Sequence, residues 1–196
     1  MNIFITGTDT DIGKTITSAW ICKNTSASYF KPIQTGDDSD AKTVSQFSPT
    51  TRIIPNAYRL KAPLSAYDAA CLEGIDIDID TIKRQCPPNN TVIEGAGGTL
   101  VPITHDIMMA DLINLMNAKA LIVAKSKLGF LNHIFLTVEA LKARNIDILG
   151  IILNGKTTLT NTVENFSRCK VLATLTDLNA VSNSPIPPSI KSALTL

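Results

Sequence analysis

Short runs of apolar residues alternate along the chain with longer stretches in which apolar residues recur at helical spacing. A short unbroken apolar run between turn residues is typical of a strand that is buried on both faces of a sheet. Such runs predict strands over residues 3–5, 29–33, 91–93, 120–124, 148–153 and 171–175. The intervening stretches predict helices over residues 14–23, 64–72, 79–86, 108–117, 131–143 and 161–167, and one that opens in the cluster 37–40 and runs to 47.

This alternation of strands and helices predicts an α/β fold with a mostly parallel sheet that carries helices on both faces. Residues 48–90 are the least regular part and contain several prolines, so we predict a long excursion there and no separate domain. The last strand is followed by a proline-rich tail around residues 185–188.

Composition narrows the class of protein. The 196 residues carry 18 basic and 17 acidic side chains, which gives no indication of a nucleic-acid or anionic-membrane partner. Four cysteines without a C-x-x-C pair argue against a zinc site and a disulfide framework. No apolar run approaches the ~20 residues that span a bilayer, and no signal-peptide pattern opens the chain. We therefore expect a cytoplasmic protein without membrane segments.

The first predicted strand leads into the sequence G-T-D-T-D-I-G-K-T over residues 7–15, followed by a predicted helix. This layout is typical of a phosphate-binding loop, because glycines and a helix N-terminus turn backbone N–H groups towards an anion. Lys14 would add a charge for the terminal phosphates, and the Thr15 hydroxyl would face Mg²⁺. Five residues separate Gly7 from Gly13, whereas the common pattern has four. A plain glycine turn is the alternative interpretation.

Two further strand ends carry chemistry. Glu94 ends the strand at 91–93 and is followed by Gly95, Ala96 and two more glycines, the form of the metal-side acid in P-loop proteins. Lys31 lies inside the strand predicted at 29–33, directly before Pro32, which is an unusual position for a lysine and makes it a candidate site residue. The alternative interpretation is a lysine on an edge strand whose side chain points to water.

Ligands of such folds bind beyond the carboxyl ends of the strands. Segments 7–15, 31–36, 94–98 and 125–132 and the side chain of Asn154 all lie at predicted carboxyl ends, so we expect one shared site. The loop and the alternation together predict a P-loop NTPase-like fold, formed by one domain over residues 1–196.

These segments resemble the dethiobiotin synthetase family. The family's loop reads G-T-D-T-x-x-G-K-T, which residues 7–15 match, including the extra residue. Its K-P-x-x-[ST]-G, E-G-A-G-G and K-x-G-x-x-N-H segments are matched at 31–36, 94–98 and 127–133, in family order. Ala66 and Tyr67 depart from the A-P-x-S-P-H segment of many members.

The resemblance implies that ATP, CO₂ and 7,8-diaminopelargonate give dethiobiotin, ADP and phosphate through a carbamate. It implies Lys14 and Lys31 as catalytic cations and Mg²⁺ on Thr15, Asp40 and Glu94, with Asp37 and Asp38 competing for the place of Asp40. It also implies a homodimer, because in the family the start of the 131–143 helix completes the partner's substrate site. The nucleotide-site residues so implied are Thr10, Asp11, Ile12, Gly13, Lys14, Thr15, Asp40, Glu94, Gly97 and Asn154, and the substrate-site residues are Thr10, Lys31, Thr35, Gly129, Leu131 and Asn132.

The guanine-reading N-K-x-D pattern is absent after Asn154, which favours ATP over GTP. Three rival interpretations remain. A P-loop switch ATPase that positions other proteins usually has a lysine early in the loop, where this chain has Thr8 and Asp9. The synthetase domain of the cobyrinate amidating enzymes shares the loop but carries a glutaminase domain as well. A degenerate member that binds nucleotide without turnover would not need Lys31 and Glu94.

Overall fold

A seven-stranded parallel sheet forms the centre of the structure, a computed structural model that describes residues 1–176 and 184–195. A second, two-stranded parallel sheet lies beside it. The strands of the large sheet are β1 (Asn2–Gly7), β2 (Ser28–Phe30), β4 (Ile53–Ile54), β6 (Thr91–Glu94), β7 (Ala118–Lys125), β8 (Ile148–Asn154) and β9 (Val171–Leu175), and those of the small sheet are β3 (Ile33–Thr35) and β5 (Tyr58–Leu60).

The strand order of the large sheet is β4-β2-β6-β1-β7-β8-β9, so β1 lies at its middle between β6 and β7. The register pairs Ile5 of β1 with Glu94 of β6, and Gly7 of β1 with Val123 of β7. Because parallel strands end at one edge, this register brings Glu94 beside the loop that follows β1.

Helices cover both faces of the large sheet, and its strands divide their side chains between two apolar cores. Phe4 of β1 belongs to one core and its neighbours Ile3 and Ile5 to the other, which is the two-residue period of a strand. The predicted α/β class with a parallel, doubly covered sheet is confirmed. One face carries α1 (Lys14–Lys23), α2 (Asp40–Phe47) and α8 (Pro188–Thr195), and the other carries α3 (Ala66–Glu73), α4 (Ile79–Gln85), α5 (Met109–Leu115), α6 (Phe130–Lys142) and α7 (Thr160–Ser167).

The strand predicted over residues 29–33 is wrong as a single element. It breaks at Lys31 and Pro32, because proline has no N–H to donate to a ladder. The Pro32 carbonyl accepts hydrogen bonds from the N–H groups of Ala57 (2.9 Å) and Tyr58 (3.1 Å), and the chain moves into the small sheet. Lys31 therefore follows the carboxyl end of β2 instead of lying within a strand.

Within residues 48–90 the two predicted helices are confirmed with shifted ends, as α3 and α4. The sequence did not predict β4 and β5, which are two and three residues long. The prediction of a proline-rich tail missed a helix, since the residues from Pro188 form α8. Proline suits the first helical position, and the fully buried Ile190 anchors the helix in the core.

The cluster at residues 37–40 opens α2 as expected, with Ser39 as its N-cap residue. The Ser39 hydroxyl accepts from the Lys42 N–H (3.3 Å), so the carboxylate of Asp40 in the first turn remains available for other contacts.

All four cysteines are free thiols, in agreement with the expected absence of a disulfide framework. Within residues 1–176 and 184–195, none of the helices combines the length and the apolar composition needed to cross a membrane.

Candidate active site

The loop between β1 and α1 has the backbone of an anion-binding turn. Gly13 lies directly before α1 with φ +94°, in the left-handed region that glycine tolerates. The torsion therefore favours glycine, and a Cβ at Gly13 would also displace the side-chain amide of Asn154. That amide donates to the Ile12 carbonyl (2.6 Å) and fixes the loop against the end of β8.

Lys14 is nearly buried, and its ammonium donates to the Asp9 carbonyl oxygen (2.8 Å) on the opposite arm of the loop. Burial lowers the pKa of Lys14, and the carboxylates of Glu94 and Asp40 only partly offset that effect. The loop thus encloses a poorly solvated cation, which gains most from an anionic ligand.

Four side chains from different elements form what we name the carboxylate cluster: Thr15, Lys31, Asp40 and Glu94. The Thr15 hydroxyl lies 2.8 Å from Asp40 Oδ1 and 2.8 Å from Glu94 Oε1. Lys31 forms an ion pair with Asp40, and its Nζ lies 3.7 Å from Glu94 Oε1. The structure therefore brings together the three predicted metal ligands and one predicted catalytic lysine.

Charge within the carboxylate cluster stabilises the ionised forms. Burial would lower the pKa of Lys31, but the charges of Glu94 and Asp40 outweigh it, and the pKa is raised. Burial would raise the pKa of Asp40, but the charge of Lys31 and hydrogen bonds from Lys31 and Thr15 lower it. Lys31 is only 7% exposed, so the alternative of an edge lysine pointing to water is wrong.

The oxygens of the carboxylate cluster fit a small hard cation such as Mg²⁺. Thr15 has one hydroxyl hydrogen but two carboxylate oxygens within 2.8 Å, so that proton can serve only one of them. A divalent cation would satisfy the remaining oxygens, and carboxylates with a hydroxyl are the donor set that Mg²⁺ prefers. Asp40 makes the contacts with Thr15 and Lys31; its competitor Asp38 lines the same cavity, and Asp37 lines the adjoining one.

Two adjoining cavities open at these residues. One of about 420 Å³ is lined by the carboxylate cluster together with Lys14 and Gly13. The other, of about 620 Å³, extends away from it and is lined by Asp37, Ser65 and the buried Ala66. Residues common to both cavities are Thr10, Asp11, Thr35, Asp38, Ala96 and Gly97.

A third cavity, of about 420 Å³, lies on the other side of the loop. Asn154 lines it with Ile12, Ser126 and Leu175. Since the Ile12 carbonyl can only accept, the Asn154 amide must turn its NH₂ towards the loop, and this leaves its oxygen as the group that can meet a ligand.

Gly129, Leu131 and Asn132 lie apart from the other predicted substrate residues within one chain. They line a separate cavity of about 820 Å³ that shares no lining residue with the two cavities at the carboxylate cluster. Gly129 precedes α6 with φ +89° and offers no side-chain cap, so the first N–H groups of α6 lack a capping side chain there. The neighbouring Leu128 is fully exposed.

Sequence reasoning missed two neighbours of Glu94. The hydroxyls of Ser18 and Tyr29 both donate to Glu94 Oε2, at 2.8 and 3.0 Å. Spacing offered a signal for each. Ser18 follows Thr15 by three residues on one helix face, and Tyr29 precedes Lys31 by two.

Comparisons with known proteins agree with this geometry. A family model described as an AAA domain matches residues 1–184. The ATP-dependent dethiobiotin synthetase BioD of Paramagnetospirillum magneticum is 40% identical over 188 residues, covering 94% of this chain and 92% of that protein. The protein of the same name from Lawsonia intracellularis is 45% identical over 162 residues, covering 80% and 77%.

A solved structure of similar fold is that of a ParA family ATPase from Chlorobium tepidum, with a TM-score of 0.56 and 12% identity, covering 98% of this chain and 90% of that one. At that identity the likeness concerns the fold alone, and it confirms the P-loop NTPase-like architecture. Among the alternatives, the curated relatives favour the synthetase over the switch ATPase. Their identity extends over most of both chains, and the chain belongs to the ATP-dependent dethiobiotin synthetase family.

Proposed function

We propose that this protein, as one domain over residues 1–196, is an ATP- and Mg²⁺-dependent dethiobiotin synthetase. It forms the cyclic urea of dethiobiotin from 7,8-diaminopelargonate and CO₂ and converts ATP to ADP and phosphate. The observation that carries the proposal is the carboxylate cluster, a buried lysine and two carboxylates at the phosphate loop, opening into a cavity of substrate size. The four free cysteines support a reducing, cytoplasmic setting.

The reaction balances in three steps. An amine nitrogen attacks CO₂ and loses a proton, which gives a carbamate. A carbamate oxygen attacks the γ-phosphorus and ADP leaves, which gives a carbamic-phosphoric anhydride. The second amine attacks the carbonyl carbon and loses a proton, the C–O bond breaks, and phosphate leaves as the ring closes.

The second step brings two anions together, and this is where the lysines act. Lys14, held in the loop, would face the phosphates, and Lys31, at the end of β2, lines the same cavity. Two cations there would stabilise the charge that develops on the transferred group. Thr10 and Thr35 line both cavities and would orient the carbamate end of the substrate.

Thr15, Asp40 and Glu94 would hold Mg²⁺, which when bound neutralises phosphate oxygens and orients the γ-phosphoryl group. Asp11, Ile12, Gly13 and the neighbouring Gly97 would surround the phosphates. Asn154 would meet the base in the cavity on the other side of the loop, where its free amide oxygen suits the amino group of adenine.

The substrate's distant carboxylate would bind at the start of α6 of a second copy, through Gly129, Leu131 and Asn132. The N–H groups of a helix N-terminus favour an anion, and these residues lie outside the cavities at the carboxylate cluster. The exposed leucines Leu128, just before α6, and Leu136, on α6, support a homodimer whose substrate site is shared between subunits.

Phosphate release tests the proposal. Purified protein is expected to release phosphate from ATP only when 7,8-diaminopelargonate and bicarbonate are both present, with dethiobiotin appearing in equal amount by mass spectrometry. ATP hydrolysis at the same rate without the diamine would contradict it and would favour the switch ATPase.

A further inference from the structure

Glu94 is held by more donors than a metal ligand alone requires. Its side chain is 1% exposed and lies at the end of β6. Oε1 faces the site, 2.8 Å from the Thr15 hydroxyl and 3.7 Å from Lys31 Nζ. Oε2 faces the interior, where the hydroxyls of Ser18 and Tyr29 donate to it. The two oxygens of one carboxylate thus have separate sets of partners.

The two interior donors come from different elements, Ser18 from α1 and Tyr29 from β2, and both residues are fully buried. Ser18 also lies 3.0 Å from the Lys14 carbonyl, but its single hydrogen goes preferentially to the charged acceptor. The Tyr29 hydroxyl has no other hydrogen-bond partner among the described residues, so it is committed to Glu94.

A carboxylate rotates easily about its terminal bond, because that torsion is broad and two-fold. Two donors fixed on separate elements restrict the rotation and leave Oε1 as the oxygen that is presented to the site. Outer-shell hydrogen bonds of this kind typically change metal affinity by about 10- to 100-fold.

We propose that Ser18 and Tyr29 are positioning residues for the divalent cation, which act by holding Glu94 Oε2 so that Oε1 points at Thr15. This inference rests on the proposed function, since it takes Glu94 as a ligand of Mg²⁺. Neither residue belongs to the motifs that identify the family, and their role follows from the contacts of Glu94 alone.

Binding of Mn²⁺ to the ADP complex, followed by electron paramagnetic resonance, separates positioning from a purely structural role. Tyr29→Phe and Ser18→Ala are each expected to weaken Mn²⁺ binding about 10-fold, with ADP binding in the absence of metal unchanged. Tyr58→Phe is the matched control, because its hydroxyl accepts from the Asp78 N–H remote from Glu94, and it is expected to bind Mn²⁺ like the wild type. Glu94→Gln is the reference for loss of the ligand itself.

Mn²⁺ affinity at the wild-type level in both Tyr29→Phe and Ser18→Ala, with Glu94→Gln weakened, would overturn the positioning role and leave the proposed function intact. Wild-type affinity in Glu94→Gln would overturn the metal assignment and the positioning role together. If Tyr29→Phe fails to fold, Ser18→Ala alone decides, because it removes one small hydroxyl from a helix interior.

Discussion

Lys31 shows how a single residue obtains its function from its surroundings. A lysine that is only 7% exposed stays protonated because the carboxylates of Asp40 and Glu94 supply the opposite charges. Lys31 also lines the same cavity as Lys14, so its ammonium can be reached from that cavity. In the proposed function, its task would lie in the transition state of phosphoryl transfer more than in binding of the nucleotide.

Replacing Lys31 with Gln is expected to lower kcat by about 100-fold or more, the usual effect of losing one group that stabilises developing charge. Affinity for ADP, measured by calorimetry, should change little, since the loop and α1 carry that binding. Lys83→Gln is the control, an exposed lysine on α4 with a surface ion pair. Full activity of the Lys31 variant would return this residue to a structural role.

Gly13→Ala is expected to abolish nucleotide binding. The new Cβ would overlap the Asn154 amide and would disfavour the left-handed torsion that Gly13 adopts, so the loop and its link to β8 would both shift. Gly74→Ala provides the comparison, because Gly74 is also left-handed (φ +65°) but has open space around it. That variant should lose about 1 kcal/mol of unfolding free energy and keep its ADP affinity. Equal ADP affinity of both variants would count against the role of Asn154 in shaping the loop.

At the scale of elements, α8 returns the end of the described chain to the central sheet. Ile190 is fully buried in the core that also contains Trp20 of α1. The Trp20 indole N–H donates to the Ser184 carbonyl (2.9 Å), just before α8. Packing of α8 therefore stabilises α1, the helix that follows the phosphate loop.

Ile190→Ala is expected to lower the free energy of unfolding by about 3 kcal/mol, because it removes buried methyl groups and leaves a cavity. Urea unfolding followed by the fluorescence of Trp20, the one tryptophan of the sequence, measures the change. Ser189→Ala, at an exposed position of the same helix, should change it by less than about 0.5 kcal/mol. Similar losses in the two variants would mean that α8 contributes nothing to the core.

At the scale of the whole molecule, the proposed homodimer would complete the proposed substrate site. One chain supplies the phosphate loop and the carboxylate cluster, and the start of α6 lines a cavity of its own. In the proposed dimer, the substrate in one chain's cavity would meet the start of α6 from the neighbouring copy.

Complementation between two inactive variants tests this arrangement. Lys31→Gln and Asn132→Asp, in which a carboxylate repels the substrate carboxylate, should each be inactive alone. Co-expressed, they should recover about a quarter of wild-type activity, since about half of the dimers are mixed and each of those has one intact site of two. Activity that stays absent in the mixture, with heterodimers detected by mass spectrometry, would place both residues in the same chain's site.

Much of this protein follows from its sequence. The apolar runs predict the strands from β6 onwards and helix α1 with its observed ends, because strand period and helix period are local properties. The sequence also identifies the candidate site: the phosphate loop, Lys31, Asp40 and Glu94. Glycine, lysine and carboxylate residues at the carboxyl ends of buried strands are typical of a ligand site.

The tertiary structure decided what local pattern could not. The path of the chain after Pro32 depends on Ala57 and Tyr58, 25 and 26 residues further along, whose N–H groups donate to the Pro32 carbonyl where the chain enters the small sheet. Burial of Lys31, the contacts of Asp40 with Thr15 and Lys31, and the contacts of Ser18 and Tyr29 with Glu94 depend on how α1, α2 and β6 meet. Residue types specify which chemistry is possible, but charge and hydrogen bonding act over a few ångströms, and only the packing of distant segments sets those distances.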